Sequence, residues 1–120
     1  PVCCAAAIAT IKYMLENDIP GVCREKGKFL KAGLESLAEK YPEIIQEVRG
    51  TGLMLAVEFH TSDLGYECAK GLFARRVLTA GTLVNAKTIR FEPTAVISEQ
   101  DMKDVISRMD EALADVKKAM

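Results

Sequence analysis

Arg90 is the residue of this sequence with the strongest case for chemistry. It stands in the run Thr88-Ile89-Arg90-Phe91-Glu92-Pro93. Alternation along a strand sends Ile89 and Phe91 to one face there, and Thr88 and Arg90 to the other. A guanidinium held on a strand can grip a carboxylate through two parallel hydrogen bonds, because the planar fork matches the planar anion. The same residue types also fit an edge or surface arginine paired with Glu92, two positions on and facing the same side. Spacing alone leaves both readings open. Arg49, at the corner of a hairpin, is more simply structural.

Other arrangements that carry chemistry are missing from the sequence. The single His60 follows a strand, with no second His or matched Cys nearby, and reads as a loop or structural histidine. Gly50-Thr51-Gly52 leads into a strand, the wrong context for a loop that cradles phosphates at a helix start. Ser36, Ser62, Ser98 and Ser107 sit in cap or helix-surface contexts, not on a nucleophile elbow. Cys3, Cys4, Cys23 and Cys68 form no Cys-x-x-Cys pair. They read as buried, inert thiols, and no metal site is expected. With 16 basic against 17 acidic residues the net charge is −1, so the chain carries no footprint for nucleic acid or an anionic membrane. No window approaches the roughly 20 apolar residues of a membrane span. No signal peptide is recognised, which makes the reducing cytoplasm the expected compartment.

The elements that must position Arg90 follow from the spacing of apolar residues. The central one is the hairpin over residues 45–59, where Gly50 and Gly52 make the corner and only Glu58 is charged between Leu53 and Phe59. Glycine supplies the positive-φ conformations such a turn needs at little steric cost. A strand that apolar must be central and covered. Before it, a first helix over about residues 2–16 is stopped by Asn17-Asp18-Ile19-Pro20. Its opening run PVCCAAAIATI is apolar on every side, the mark of a helix buried inside something larger than this chain. A second helix over about 21–40 turns Val22, Lys26, Phe29, Leu30, Gly33, Leu34 and Leu37 inward, with close packing expected at Gly33. After the hairpin, Thr61-Ser62-Asp63 caps a third helix to about residue 76, with Leu64, Cys68, Leu72 and Phe73 inward. Short strands follow at 77–79 and 87–91, with Gly81 turning the chain between them. Ser98 then caps a last helix carrying the stripe Met102, Val105, Ile106, Met109, Leu113 and Val116. The order ααββαββα predicts one α+β domain over residues 1–120: a small mixed, mostly antiparallel sheet with helices packed on one face.

Three stretches of the sequence are similar to a known family. EVRGTGLMLAVEF resembles the hairpin in the C-terminal small domain of class III pyridoxal-phosphate (PLP) aminotransferases, the ornithine and acetylornithine group. PVCCAAAIATI resembles the helix after their Gly-Gly-Asn segment. VLTAGTLVNAKTIRFEP is closest to the putrescine aminotransferases of bacteria. The resemblance spans essentially the whole chain. It implies the small C-terminal domain of a fold-type I PLP enzyme, and it matches Arg90 to the arginine that binds the substrate carboxylate. One departure is Thr94, where the family commonly has a second proline after this strand.

The implied parent takes an amino group from putrescine or a related diamine and passes it to 2-oxoglutarate in a ping-pong cycle. Arg90 would then serve the carboxylate of 2-oxoglutarate and glutamate. The resemblance further implies PLP in the parent, a missing large domain as partner, and a homodimer. The catalytic lysine, the aspartate under the pyridine nitrogen and the phosphate-binding groups all fall before this stretch in the family. No lysine here matches the catalytic one, so the chain alone is expected to bind no PLP specifically and to be inert. An ornithine or acetylornithine enzyme is the alternative within the family. A non-catalytic α+β binding or assembly module is the alternative outside it.

Overall fold

The computed structural model describes residues 1–82 and 85–120; Leu83 and Val84, part of the tail quoted above, lie outside the described residues. The elements are α1 (Val2–Glu16), α2 (Ile19–Lys40), β1 (Ile45–Thr51), β2 (Met54–Phe59), α3 (Ser62–Ala74), β3 (Ala80–Gly81), β4 (Thr88–Phe91) and α4 (Glu99–Ala119). The strands form one antiparallel sheet in the order β1-β2-β4-β3. This is the expected α+β architecture, with β2 inside the sheet.

The hairpin closes through a two-residue loop between the paired Thr51 and Met54, with Gly50 at φ +132° and Gly52 at φ +54°. From there Leu55, Val57 and Phe59 point to one face, opposite Phe91 and Ile89 of β4. A bulge between Ile45 and Glu47 shifts the register of β1. The extra residue lets Ile45 and Val48, three apart, sit opposite Phe59 and Val57 on the same face.

Three helices cover that face. Leu30, Leu34 and Leu37 of α2, Cys68 and Leu72 of α3, and Met102, Met109 and Leu113 of α4 are buried in one cluster with the strand residues. α2 comes so close to the hairpin that a Cβ on Gly27 would lie 2.1 Å from the Gly52 carbonyl oxygen. Gly33, the expected close approach, faces the Ile106 side chain of α4. The helix starts are capped as read: Thr61 accepts from the Leu64 N–H and Ser98 from the Asp101 N–H.

Several expectations need correction. α2 begins at Ile19, because Asp18 caps it by accepting from the Gly21 N–H. Phe73 is exposed, since Cys68 and Leu72 set the inward stripe of α3 and Phe73 lies about 100° round from Leu72. Phe29 flanks the seam of α2 rather than lying in it, and the Lys103 ammonium sits over its ring. No strand forms over residues 77–79. Arg76 adopts φ +62° and the Val77 N–H returns to the Leu72 carbonyl, closing α3 instead. The ladder is taken up later, so Gly81 pairs with Ile89 inside β3.

Cys3 and Cys4 are exposed, because α1 is exposed along its whole length and packs only on α2. Cys68 is the buried thiol, pushed up to about 12 by desolvation, and is inert as a nucleophile.

The C-terminal end of α2 is tied to α4 by polar contacts. Tyr41 Oη donates to Asp110 Oδ1 at 2.7 Å, and Lys40 Nζ donates to both oxygens of the same carboxylate. The Lys40 ammonium, then the Tyr41 hydroxyl, hold the Asp110 carboxyl below its ordinary range. A lowered folded-state value means stability that is present above the unfolded Asp value and lost as pH falls through the folded one. Melting curves from about pH 7 down to about pH 3 should therefore show a smaller acid loss for Asp110→Asn than for the natural chain. The difference is held below about 1 kcal/mol because the pair is well hydrated. Parallel pH profiles would refute it.

Candidate functional site

Arg90, the residue singled out in the sequence, lies on the face of the sheet turned away from the helices. Register places Arg49, Ala56, Arg90 and Ala80 in one row across β1, β2, β4 and β3. Each strand contributes one residue, and the two arginines stand two strands apart, about 10 Å between backbones.

They are held differently. Arg49 Nη1 donates to Glu47 Oε2 at 3.0 Å and is ion-paired with Glu58 Oε2 at 2.5 Å, so two carboxylates meet at one of its nitrogens. Glu58 lies one pair along the ladder from Ala56 and keeps only 18% of its side chain exposed. Arg49 is thus a brace between β1 and β2, as its place in the hairpin suggested. Among the described residues Arg90 has one partner, Glu92 on its own strand at 3.4 Å, and 45% of its side chain is exposed. A contact that long between hydrated groups is weak and easily exchanged. Directly across the ladder on either side of Arg90 stand Ala56 and Ala80. Methyl groups at both neighbouring positions leave the flanks of the guanidinium open, as in-plane approach of a carboxylate requires. Both open readings of Arg90 thus have a footing: it lies on a solvated face beside Glu92, and its fork is free to accept an anion.

Next to Arg90 a groove of about 360 Å³ runs between the end of the sheet and the helices, walled by Leu30, Phe91, Pro93, Ile97 and Met102. Thr88, on the same side as Arg90, is buried, and its hydroxyl has no hydrogen-bond partner among the described residues.

No local signal marks the two alanines, since only register brings them beside Arg90. Lys26 did leave one. It is the only charge on the inward stripe of α2, and its ammonium reaches the carbonyls of Ala95 and Ile97.

His60 is structural. Its Nε2 lies 2.9 Å from the Pro42 carbonyl oxygen, which can only accept, so this nitrogen donates. Among the described residues no group of His, Cys, Asp and Glu is arranged to hold a metal ion. No lysine among them is buried: Lys26, Lys31 and Lys87 are half-buried, and Lys26 is committed to its two carbonyls. The residues present therefore do not fit PLP, which needs a lysine free to form an imine inside a closed site. No described helix is long and apolar enough to cross a membrane.

Comparison with known proteins agrees with this architecture. The model of the class-III aminotransferase family, a PLP-dependent family, matches residues 1–113. The lysine aminotransferase of M. tuberculosis, solved in its internal aldimine form, superposes with a TM-score of 0.83 at 27% identity, over 89% of this chain and 24% of that one. The ornithine aminotransferase of Toxoplasma gondii ME49 does so with 0.85 at 25%, over 100% and 28%. The acetylornithine aminotransferase of Elizabethkingia anophelis, at 24% identity and a TM-score of 0.85, shares the fold over 96% of this chain and 29% of its own. The chain thus spans between 24% and 29% of the length of these solved chains. With the family match running from the first residue through most of α4, the chain belongs to the class-III aminotransferases.

Proposed function

We propose that this chain is the small C-terminal domain of a larger PLP-dependent transaminase that moves an amino group from putrescine or a related diamine to 2-oxoglutarate. The observation that carries the reading is Arg90, an arginine on the open face of the sheet with a methyl group on each side and, among the described residues, one loose partner. Its part is to receive the carboxylate of the 2-oxo acid in exchange for Glu92. Putrescine has no carboxylate, so the fork serves the acceptor and the product glutamate. PLP and its lysine belong to the large domain, outside this chain, and the chain by itself is inert.

The apolar surface of α1, exposed along the whole helix, is the face that the large domain covers. A homodimer in the cytoplasm completes the reading. The diamine rests on the tail VLTAGTLVNAKTIRFEP, which resembles the putrescine enzymes. A second reading, an ornithine or acetylornithine enzyme, is favoured by the likeness to solved enzymes of those two names.

The full-length protein, loaded with PLP and 2-oxoglutarate, should form glutamate from putrescine and turn over ornithine or acetylornithine far more slowly. Preference for either amino acid would transfer the assignment to the second reading. No glutamate from any of the three amines would end both.

A further inference from the structure

Lys26 projects from the inward stripe of α2, half-buried, and its ammonium donates to the carbonyl oxygens of Ala95 at 2.8 Å and Ile97 at 2.6 Å. Both carbonyls belong to the stretch that joins β4 to α4. Ladder pairing of β4 with β2 ends at Phe91 opposite Leu55, so Arg90 stands one residue from the end of the sheet. Beyond that point the stretch has local ties: the Ile97 N–H donates to the Thr94 carbonyl at 3.0 Å, and Ser98 caps α4. Among the described residues, hydrogen bonding across to another element is supplied there by Lys26. The same stretch, through Glu92, Pro93 and Ile97, walls the groove beside Arg90, and Glu92 is the partner of its guanidinium.

We propose that Lys26 is a positioning residue for the carboxylate fork. By drawing two carbonyls of the joining stretch onto α2 it fixes the end of β4, the place of Glu92, and the direction in which Arg90 presents its donors. This inference rests on the reading of Arg90 as the 2-oxo acid's anchor. An ammonium is suited to the task because it offers three donors to acceptors that converge on one point. A methionine of similar length offers none.

The test uses full-length holoenzyme and compares Lys26→Met, Lys26→Arg, Arg90→Ala and Asp110→Asn. Lys26→Met is expected to raise KM for 2-oxoglutarate about tenfold, since small misplacements of a binding group are costly. KM for the amine should change by less than about twofold. Lys26→Arg, which still donates to both carbonyls, should restore most of the loss. Asp110→Asn, a destabilising change in α4 where it meets the far end of α2, should leave the 2-oxoglutarate KM alone. Amide exchange at Val96 and Ile97 should quicken in Lys26→Met and not in Lys26→Arg. If Lys26→Met does not fold, Lys26→Gln, with two donors, is read in the same way.

Equal changes in both KM values, or none, overturn the role of Lys26 when Arg90→Ala has raised the 2-oxoglutarate KM. If Arg90→Ala leaves that KM unchanged, the reading of Arg90 falls and this role falls with it.

Discussion

Replacing Arg90 with alanine in the full-length transaminase is expected to cut kcat/KM for 2-oxoglutarate by a factor of roughly 30 to 5,000. That range corresponds to the loss of one partner from a desolvated, hydrogen-bonded charge pair, about 2–5 kcal/mol. The donor half-reaction with putrescine should change little, because a diamine presents no anion for the fork. Single-turnover measurements of each half-reaction separate the two. Arg90→Lys should recover only part of the loss, since a point charge keeps the attraction and gives up the paired geometry. Equal losses in both half-reactions would remove the role assigned to Arg90. The neighbouring arginine makes a useful control. Arg49 already holds Glu58 and Glu47, so Arg49→Ala should act on stability and not on acceptor choice.

Phe59→Ala is expected to be the most damaging change to the fold itself. The ring is fully buried at the end of β2, pairs across the ladder with Ile45, and packs near Gly65 of α3. Truncating a buried phenylalanine typically costs about 3–5 kcal/mol, the transfer term and the cavity acting together. A domain of ordinary stability has about 5–15 kcal/mol in all, so much of the margin disappears. Urea unfolding followed by circular dichroism measures the change. Phe73→Ala, which removes an exposed ring from α3, should stay within about 0.5 kcal/mol of the natural chain. A Phe59→Ala midpoint as close as that would show that the core does not centre on β2.

Much of the fold was legible because its signals are local. The residues Asn17-Asp18-Ile19-Pro20 stop one helix and start the next, Thr61 and Ser98 cap two others, and Gly50 and Gly52 turn the hairpin. Each acts within a few residues of itself, through a bond or a dihedral that only a short list of side chains allows. The apolar periods of α2 and α4 likewise announced the faces they bury. Where the periodic reading failed, at Phe29 and Phe73, the residue lay beside a true seam position, and neighbours on a helix differ by only about 100°.

What the sequence by itself determined was the four helices, the hairpin and β4, the sheet's central strand, and the presence of one arginine in a strand with a carboxylate two residues on. Only the tertiary structure decided the rest. It set β4 against β2, inserted the bulge that lets Ile45 and Val48 share the core face, and left Arg90 with alanines on both sides. It also explained Lys26, whose partners lie 69 and 71 residues away. An alternating strand fixes that two faces exist. Which of them meets the helices depends on register and on surfaces contributed by distant parts of the chain, and no local preference encodes those.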